Sequence, residues 1–195
     1  MVKKLFSGDY RRYTIIVLIS AIVSIGLGFL FHFAFNLTGE NSFVGLFAPV
    51  NESIWEHLKI IFFPFILTMI VEYFLYGKEA YNFFSSKFIG LEIALLSVIT
   101  NYYTMVGAFG INNMAVNISI FVIGVFIAYV ISYLRMLKTP RLAGGIYEVI
   151  SISSIAIMLL LFCIFTYFPP HVPLFRDPTD MSYSVFSPIF PFTRL

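Results

Sequence analysis

Residues 48–65, APVNESIWEHLKIIFFPF, place Asn51, Glu52, Ser53, Trp55, Glu56, His57 and Lys59 at the entry to a strongly apolar run. Imidazole together with carboxylate is the ligand chemistry of zinc and similar divalent metals. At helical spacing Ser53 and His57 share a face, and Glu52 and Glu56 share the neighbouring face. One turn of helix then presents a hydroxyl, an imidazole and two carboxylates. A metal held by such groups activates water at neutral pH, with a carboxylate as general base. The same residues also suit a plain helix start. Asn51 or Ser53 is a good N-cap, and Ser53 to Glu56 has capping-box spacing. First-turn carboxylates are favoured by the helix dipole, and Trp55 suits a membrane interface. HExxH, GxSxG, P-loop and Rossmann patterns are absent.

The chain has three histidines. His32 stands in the apolar stretch FLFHFAFN, and His171 opens a proline-rich tail. The candidate metal ligands are His32, His57 and His171, with Glu52, Glu56 and Ser53 as candidate catalytic groups and a divalent ion such as zinc as the candidate cofactor. Asn51, Trp55 and Asp177 are further polar or interfacial groups on the same side. A second set, Glu72, Glu92 and Glu148, lies within apolar runs, where an ionisable group costs about 2.5–3.5 kcal/mol at the centre and is a functional hypothesis by default. Glu72 follows His57 by roughly 22 Å of helix axis at 1.5 Å per residue. With Asn101 and Tyr102 it outlines a proton or cation path.

The elements that must position these groups are membrane spans. The chain has 195 residues, 59% of them hydrophobic and only 11% charged. A soluble domain carries roughly a quarter charged residues, so this chain cannot cover itself with a polar surface and lipid must be its solvent. Five runs reach the length of about 20 apolar residues that a span needs: 13–35, 56–76, 88–109, 114–135 and 146–168. The first is too long for a cleaved leader and reads as a retained signal anchor. Pro64 is expected to loosen the second. Nine Lys and Arg fall on one side and three on the other, which puts the N-terminus inside and the C-terminus outside. The expected fold is an all-α integral membrane bundle of five helices, one transmembrane domain over 1–168, with the tail 169–195 lying on the outer face. A net charge of +2 gives no case for nucleic acid. The single cysteine, Cys163, excludes an intrachain disulfide and a cysteine-built zinc site.

At GLFAPVNESIWEHLK the chain resembles a family of small, multi-spanning bacterial membrane proteins of unknown function. That family shows a P-V-N-E-S-x-W-E-H-x-K pattern, matched by Pro49 to Lys59. It also has a preceding histidine among aromatics, matched by His32, and a tail like PLFRDPT, matched by Pro173 to Thr179. The resemblance implies membership and a multi-pass protein of the plasma membrane, the bacterial inner membrane, without an activity. Ser53 and His57 are also similar to the Ser-x-x-x-His of alkaline ceramidase and adiponectin-receptor membrane hydrolases. This chain departs from them in having five spans rather than seven and no His-x-x-x-His pair.

These readings lead to a membrane protein with a polar His/Glu site at its outer face and no assigned function; if it is an enzyme, the site implies metal-assisted hydrolysis at the membrane surface. The alternatives are a small transporter using Glu72, Glu92 and Asn101, or an accessory protein that binds a partner or a second copy of itself through the motif. The bilayer is the one partner the composition requires.

Overall fold

A computed structural model describes residues 10–80, 82–138 and 145–183. Lys3, Lys4, Arg141, Arg194 and the tail beyond 183 lie outside the described residues. Helix α1 spans Tyr10–Leu37, the one-turn α2 Ser42–Gly45, α3 Ile54–Leu75, α4 Phe83–Tyr102, α5 Met114–Lys138 and α6 Ile146–Tyr167. Among the described residues there is no strand. Five of the helices, all but α2, are long and apolar enough to cross a membrane.

Contacts fix which helix ends meet. At one end Tyr13 of α1 donates to Glu79, just beyond α3. Asn82, before α4, donates to the Arg135 carbonyl of α5. Glu148 of α6 accepts the Phe84 and Ser85 amides at 2.8 and 2.9 Å, capping orphan donors at the start of α4. At the other end Thr166 of α6 meets Lys59 of α3, and Tyr167 donates to the Ser42 carbonyl. The five long helices therefore alternate in direction, and residues 41–57 sit at this second end, the motif end.

Helix α3 is the most buried of the five. Its Phe62 and Phe65, with Leu91, Ala94, Val125, Ala128 and Phe162, form the core. The outward faces carry Ile22, Leu30, Phe74, Leu96 and Leu160, all exposed, a surface consistent with contact to a lipid bilayer. Without a hydrophobic drive between helices in lipid, small residues set the closest approaches. Gly90 admits the Ala128 carbonyl region of α5 onto α4, and Gly124 admits Val98 and Ile61.

Helix α4 begins at Phe83, five residues before the expected start at 88. Lys87 reads as a boundary charge in the sequence. In the fold it is buried and ion-paired with Glu72 of α3, and its ammonium lies over the rings of Phe65, Phe83 and Tyr129. The charge is neutralised inside the bundle, so the helix runs through it. At its far end α4 widens into a π-helical turn, Tyr103–Ala108.

Candidate metal centre

Helix α3 starts where its cap dictates. Ser53 is extended, and its hydroxyl accepts the Glu56 amide at 3.3 Å, satisfying one of the orphan donors of the first turn. This places His57 in the first turn and leaves Glu52 in the approach segment, outside the helix. The His57 Nδ1 lies 3.0 Å from the Ser53 carbonyl oxygen. A carbonyl only accepts, so Nδ1 carries a proton and Nε2 is the ring nitrogen turned toward Glu52. A backbone carbonyl orienting a ring in this way is the usual support of a metal-bound histidine.

That Nε2 stands 3.3 Å from Glu52 Oε2, the separation of a histidine–carboxylate pair and also of two neighbouring ligands of one cation. The His32 ring comes in from α1 with its centroid 5.2 Å from that of His57. Its Nδ1 is buried and has no hydrogen-bond partner. One donor atom from each of His32, Glu52 and His57 lies within 4.8 Å of the other two. Tetrahedral ligands at 2.0–2.1 Å from zinc stand about 3.4 Å apart, so the widest pair must close by no more than about 1.4 Å. Glu52, exposed and outside the helix, has the freedom to do so.

Helix α1 reaches this position through Gly28, one turn before His32. A Cβ there would stand 2.8 Å from the Ile60 carbonyl oxygen and press on the Phe121 ring. Ile60 is four residues before Pro64, which has no N–H to offer that carbonyl. The expected loosening of α3 at Pro64 thus falls where α1 packs closest, and Thr68 Oγ1 donates to the Pro64 carbonyl at 3.0 Å one turn on.

A cavity of about 260 Å³ opens beside the cluster, between α3, α4, α5 and the tail. Glu52 and His57 form one wall, Asn117 and Thr179 lie at the rim, and Ile61 and Val98 lie deeper. The tail is held to the motif by Asp177, whose Oδ2 accepts the Glu52 amide at 2.8 Å. Its Oδ1 accepts the Thr179 amide and hydroxyl at 2.7 and 2.5 Å. Burial by itself would raise the Asp177 pKa. The hydrogen bonds from Thr179 and from the Glu52, Thr179 and Asp180 backbone outweigh it and hold the carboxyl below the usual aspartate value.

The sequence pattern of DUF6512, a family of unknown function, matches residues 5–185. The chain belongs to that family. No curated protein and no solved structure matches it.

The other candidate residues of this DUF6512 chain divide clearly. Glu56 turns away from the cluster: it is buried, ion-paired with Lys59 at 2.6 Å and bonded to the Val50 amide at 3.0 Å. The single-face reading of Glu52 and Glu56 treated both as helical, whereas the helix begins between them. Ser53 Oγ is occupied as the cap. Asn51 Oδ1 accepts the Ser53 amide at 3.0 Å. Trp55 is not an outward belt residue but packs on the rings of Phe162, Phe165 and Phe175. His171 is exposed, stands outside the cluster and lies against Tyr183 at 4.8 Å between ring centroids. Glu72 accepts from Tyr76 at 2.8 Å as well as pairing with Lys87. Asn101 is exposed and donates back to the Ser97 carbonyl of its own helix, and Tyr102 lines the cavity. Among the described residues no hydrogen bond or ion pair joins any two of Glu72, Glu92 and Asn101.

Sequence reasoning missed Gly28, Asn112 and Asn117. The signals were available. Gly28 is one turn from His32, and the run INNMAVN puts three amides around the start of an apolar span. Asn117 Nδ2 donates to Asn112 Oδ1 at 3.3 Å, and both border the cavity.

Proposed function

We propose that this protein is a multi-pass membrane hydrolase that holds a divalent metal between His32, Glu52 and His57. The five long helices cross the bilayer with the N-terminus inside, and the motif end faces outward. The observation that carries this reading is the convergence of His32, Glu52 and His57: one possible ligand atom from each lies within 4.8 Å of the other two, the Ser53 carbonyl orients the His57 ring, and the buried His32 Nδ1 has no hydrogen-bond partner. Two imidazoles and a carboxylate gathered at one point are a ligand set that a divalent cation takes. Three protein ligands beside an open cavity are the pattern of a catalytic rather than a structural zinc site.

A divalent ion at this place supplies water activated at neutral pH and a polarised carbonyl or phosphoryl oxygen. The chain supplies the rest. Ser53 fixes the His57 tautomer through its carbonyl. Glu52 has two carboxylate oxygens, one to ligate and one to take a proton from the attacking water. Asn117 and Thr179 offer polar contacts to a substrate at the rim. Asp177 holds the backbone of Glu52 in place.

Elemental analysis of detergent-purified protein tests this. Near-stoichiometric zinc, iron or manganese is expected in the wild type and is lost in His32→Ala and His57→Ala. His171→Ala is expected to keep its metal. A wild type free of metal after purification without chelators, and unable to bind added zinc, overturns the proposal.

A further inference from the structure

Resting on the hydrolase reading, we infer that the substrate is a short-chain amphiphile, an ester or amide with a polar head and a short acyl arm. The cavity is graded along the helix axes. Its rim is polar: Asn112 comes from the segment just before α5, Asn117 from the first turn of α5, and Thr179 from the tail. Glu52 and His57 stand at the same level. One turn further in, the wall is wholly apolar, formed by Ile61, Val98 and Phe121.

The floor is closed. A Cβ on Gly124 would stand 2.7 Å from Val98 and 3.0 Å from Ile61, so the three residues already touch. Phe121 is sealed on its other side by Gly28. From His57 to Ile61, and from Asn117 to Phe121, is four residues, about 6 Å of axis at 1.5 Å per residue. A full-length lipid chain does not fit such a depth, whereas a short acyl arm does. With the arm on the floor, the bond to be cut lies level with Glu52 and His57.

The chemistry balances with water alone. Water's oxygen bonds to the acyl carbon, the carbon–oxygen or carbon–nitrogen bond breaks, one proton passes through Glu52 to the leaving group and the acid product leaves. Each methylene of the arm moved from water onto this floor strengthens binding, which makes selectivity readable as a dependence on chain length.

The test is photo-affinity labelling with a carboxamide that carries a diazirine at the end of a butyl arm, read by peptide mass spectrometry. It is run on metal-loaded wild type, on His57→Ala and on Val98→Phe, whose larger ring fills the floor. Adducts are expected on Val98, Ile120 or Phe121 in the wild type. They are competed by butyramide and not by hexadecanamide, and are reduced at least tenfold in Val98→Phe while its metal content is unchanged. Adducts that persist in metal-free His57→Ala keep the cavity assignment separate from the metal assignment, so either can fail alone. Labelling scattered over lipid-facing residues such as Leu30 and Phe74, or undiminished in Val98→Phe, overturns the inference. Competition by hexadecanamide and not butyramide also overturns it and points to a bilayer lipid instead. For the metal-loaded protein, 4-nitrophenyl butyrate is expected to be cleaved faster than both the acetate and the palmitate.

Discussion

Glu56 and Lys59 lie three residues apart in α3, and both are shut away from solvent. The Lys59 ammonium donates to Glu56, to Thr166 Oγ1 at 2.6 Å and to the Gly45 carbonyl at 2.8 Å. One side chain thus ties α2, α3 and α6 together beneath the motif. Removing one partner of such a pair strands a buried charge, at a cost of about 3–5 kcal/mol. Lys59→Met is therefore expected to unfold at markedly lower denaturant in detergent micelles, and Glu56→Gln added to it is expected to recover much of the loss. Asp177 gives a different signature. Its carboxyl titrates below the ordinary value near 3.8, so the anchored tail gains stability that is fully present above that pH. The gain is lost only as pH falls through the lowered folded-state value. Limited proteolysis of the tail is expected to be unchanged from neutral pH down to about 4 and to rise below it, with Asp177→Asn cleaved faster at neutral pH. The sequence could name Asp177 as polar but not its partner, because Glu52 lies 125 residues away and a single sequence carries no record of such a contact.

At the level of elements, the five long helices were legible because apolar length is a property of each run alone. Most helix ends lie within three residues of the expected ones, and the start of α4 moved by five, where Lys87 found Glu72. The roles within the motif were less legible, because helical face arithmetic depends on where the helix begins. With Ser53 as the cap, Glu52 leaves the wheel and Glu56 swings to the opposite side. Gly28 belongs to this scale too. Its missing side chain lets α1 settle on the Ile60 carbonyl that Pro64 leaves free, and so carries His32 to His57. Gly28→Val is expected to weaken zinc binding by on the order of tenfold with every ligand intact, a loss of the size seen when supporting groups of a metal site are changed. Equilibrium competition with a chromogenic chelator measures it. Affinity equal to wild type would mean that α1 does not need this close approach.

For the whole molecule, the proposal that the motif end faces outward rests on the distribution of Lys and Arg. In a Cys163→Ser background, a cysteine placed at exposed Ser42 is expected to react with a membrane-impermeant maleimide in intact cells. One placed at exposed Lys78 is expected to react only after the membrane is opened. Reversed labelling would put the candidate metal centre on the cytoplasmic side and change the pool from which a substrate could come. The far end holds its own buried centre, where Lys87, Glu72 and Tyr76 join α3 to α4. The bundle is thus pinned by a desolvated ion pair near each end of α3, with the Ser24, Thr68 and Tyr129 hydroxyls in contact between them.

The bond from Asp177 to Glu52 and the bond from Lys59 to Thr166 also impose an order in time. A chain is made from its N-terminus, so His32, Glu52 and His57 are synthesised long before α6 and the tail exist. Until then Lys59 lacks its hydroxyl partner, and the segment bearing Glu52 has nothing to hold it. The ligand set closes last, when the end of the chain folds back over residues laid down near its beginning. Under the metal-site proposal, a half-made or misassembled copy is then a poor trap for metal, and acquisition of the ion is a late event that reports a finished fold.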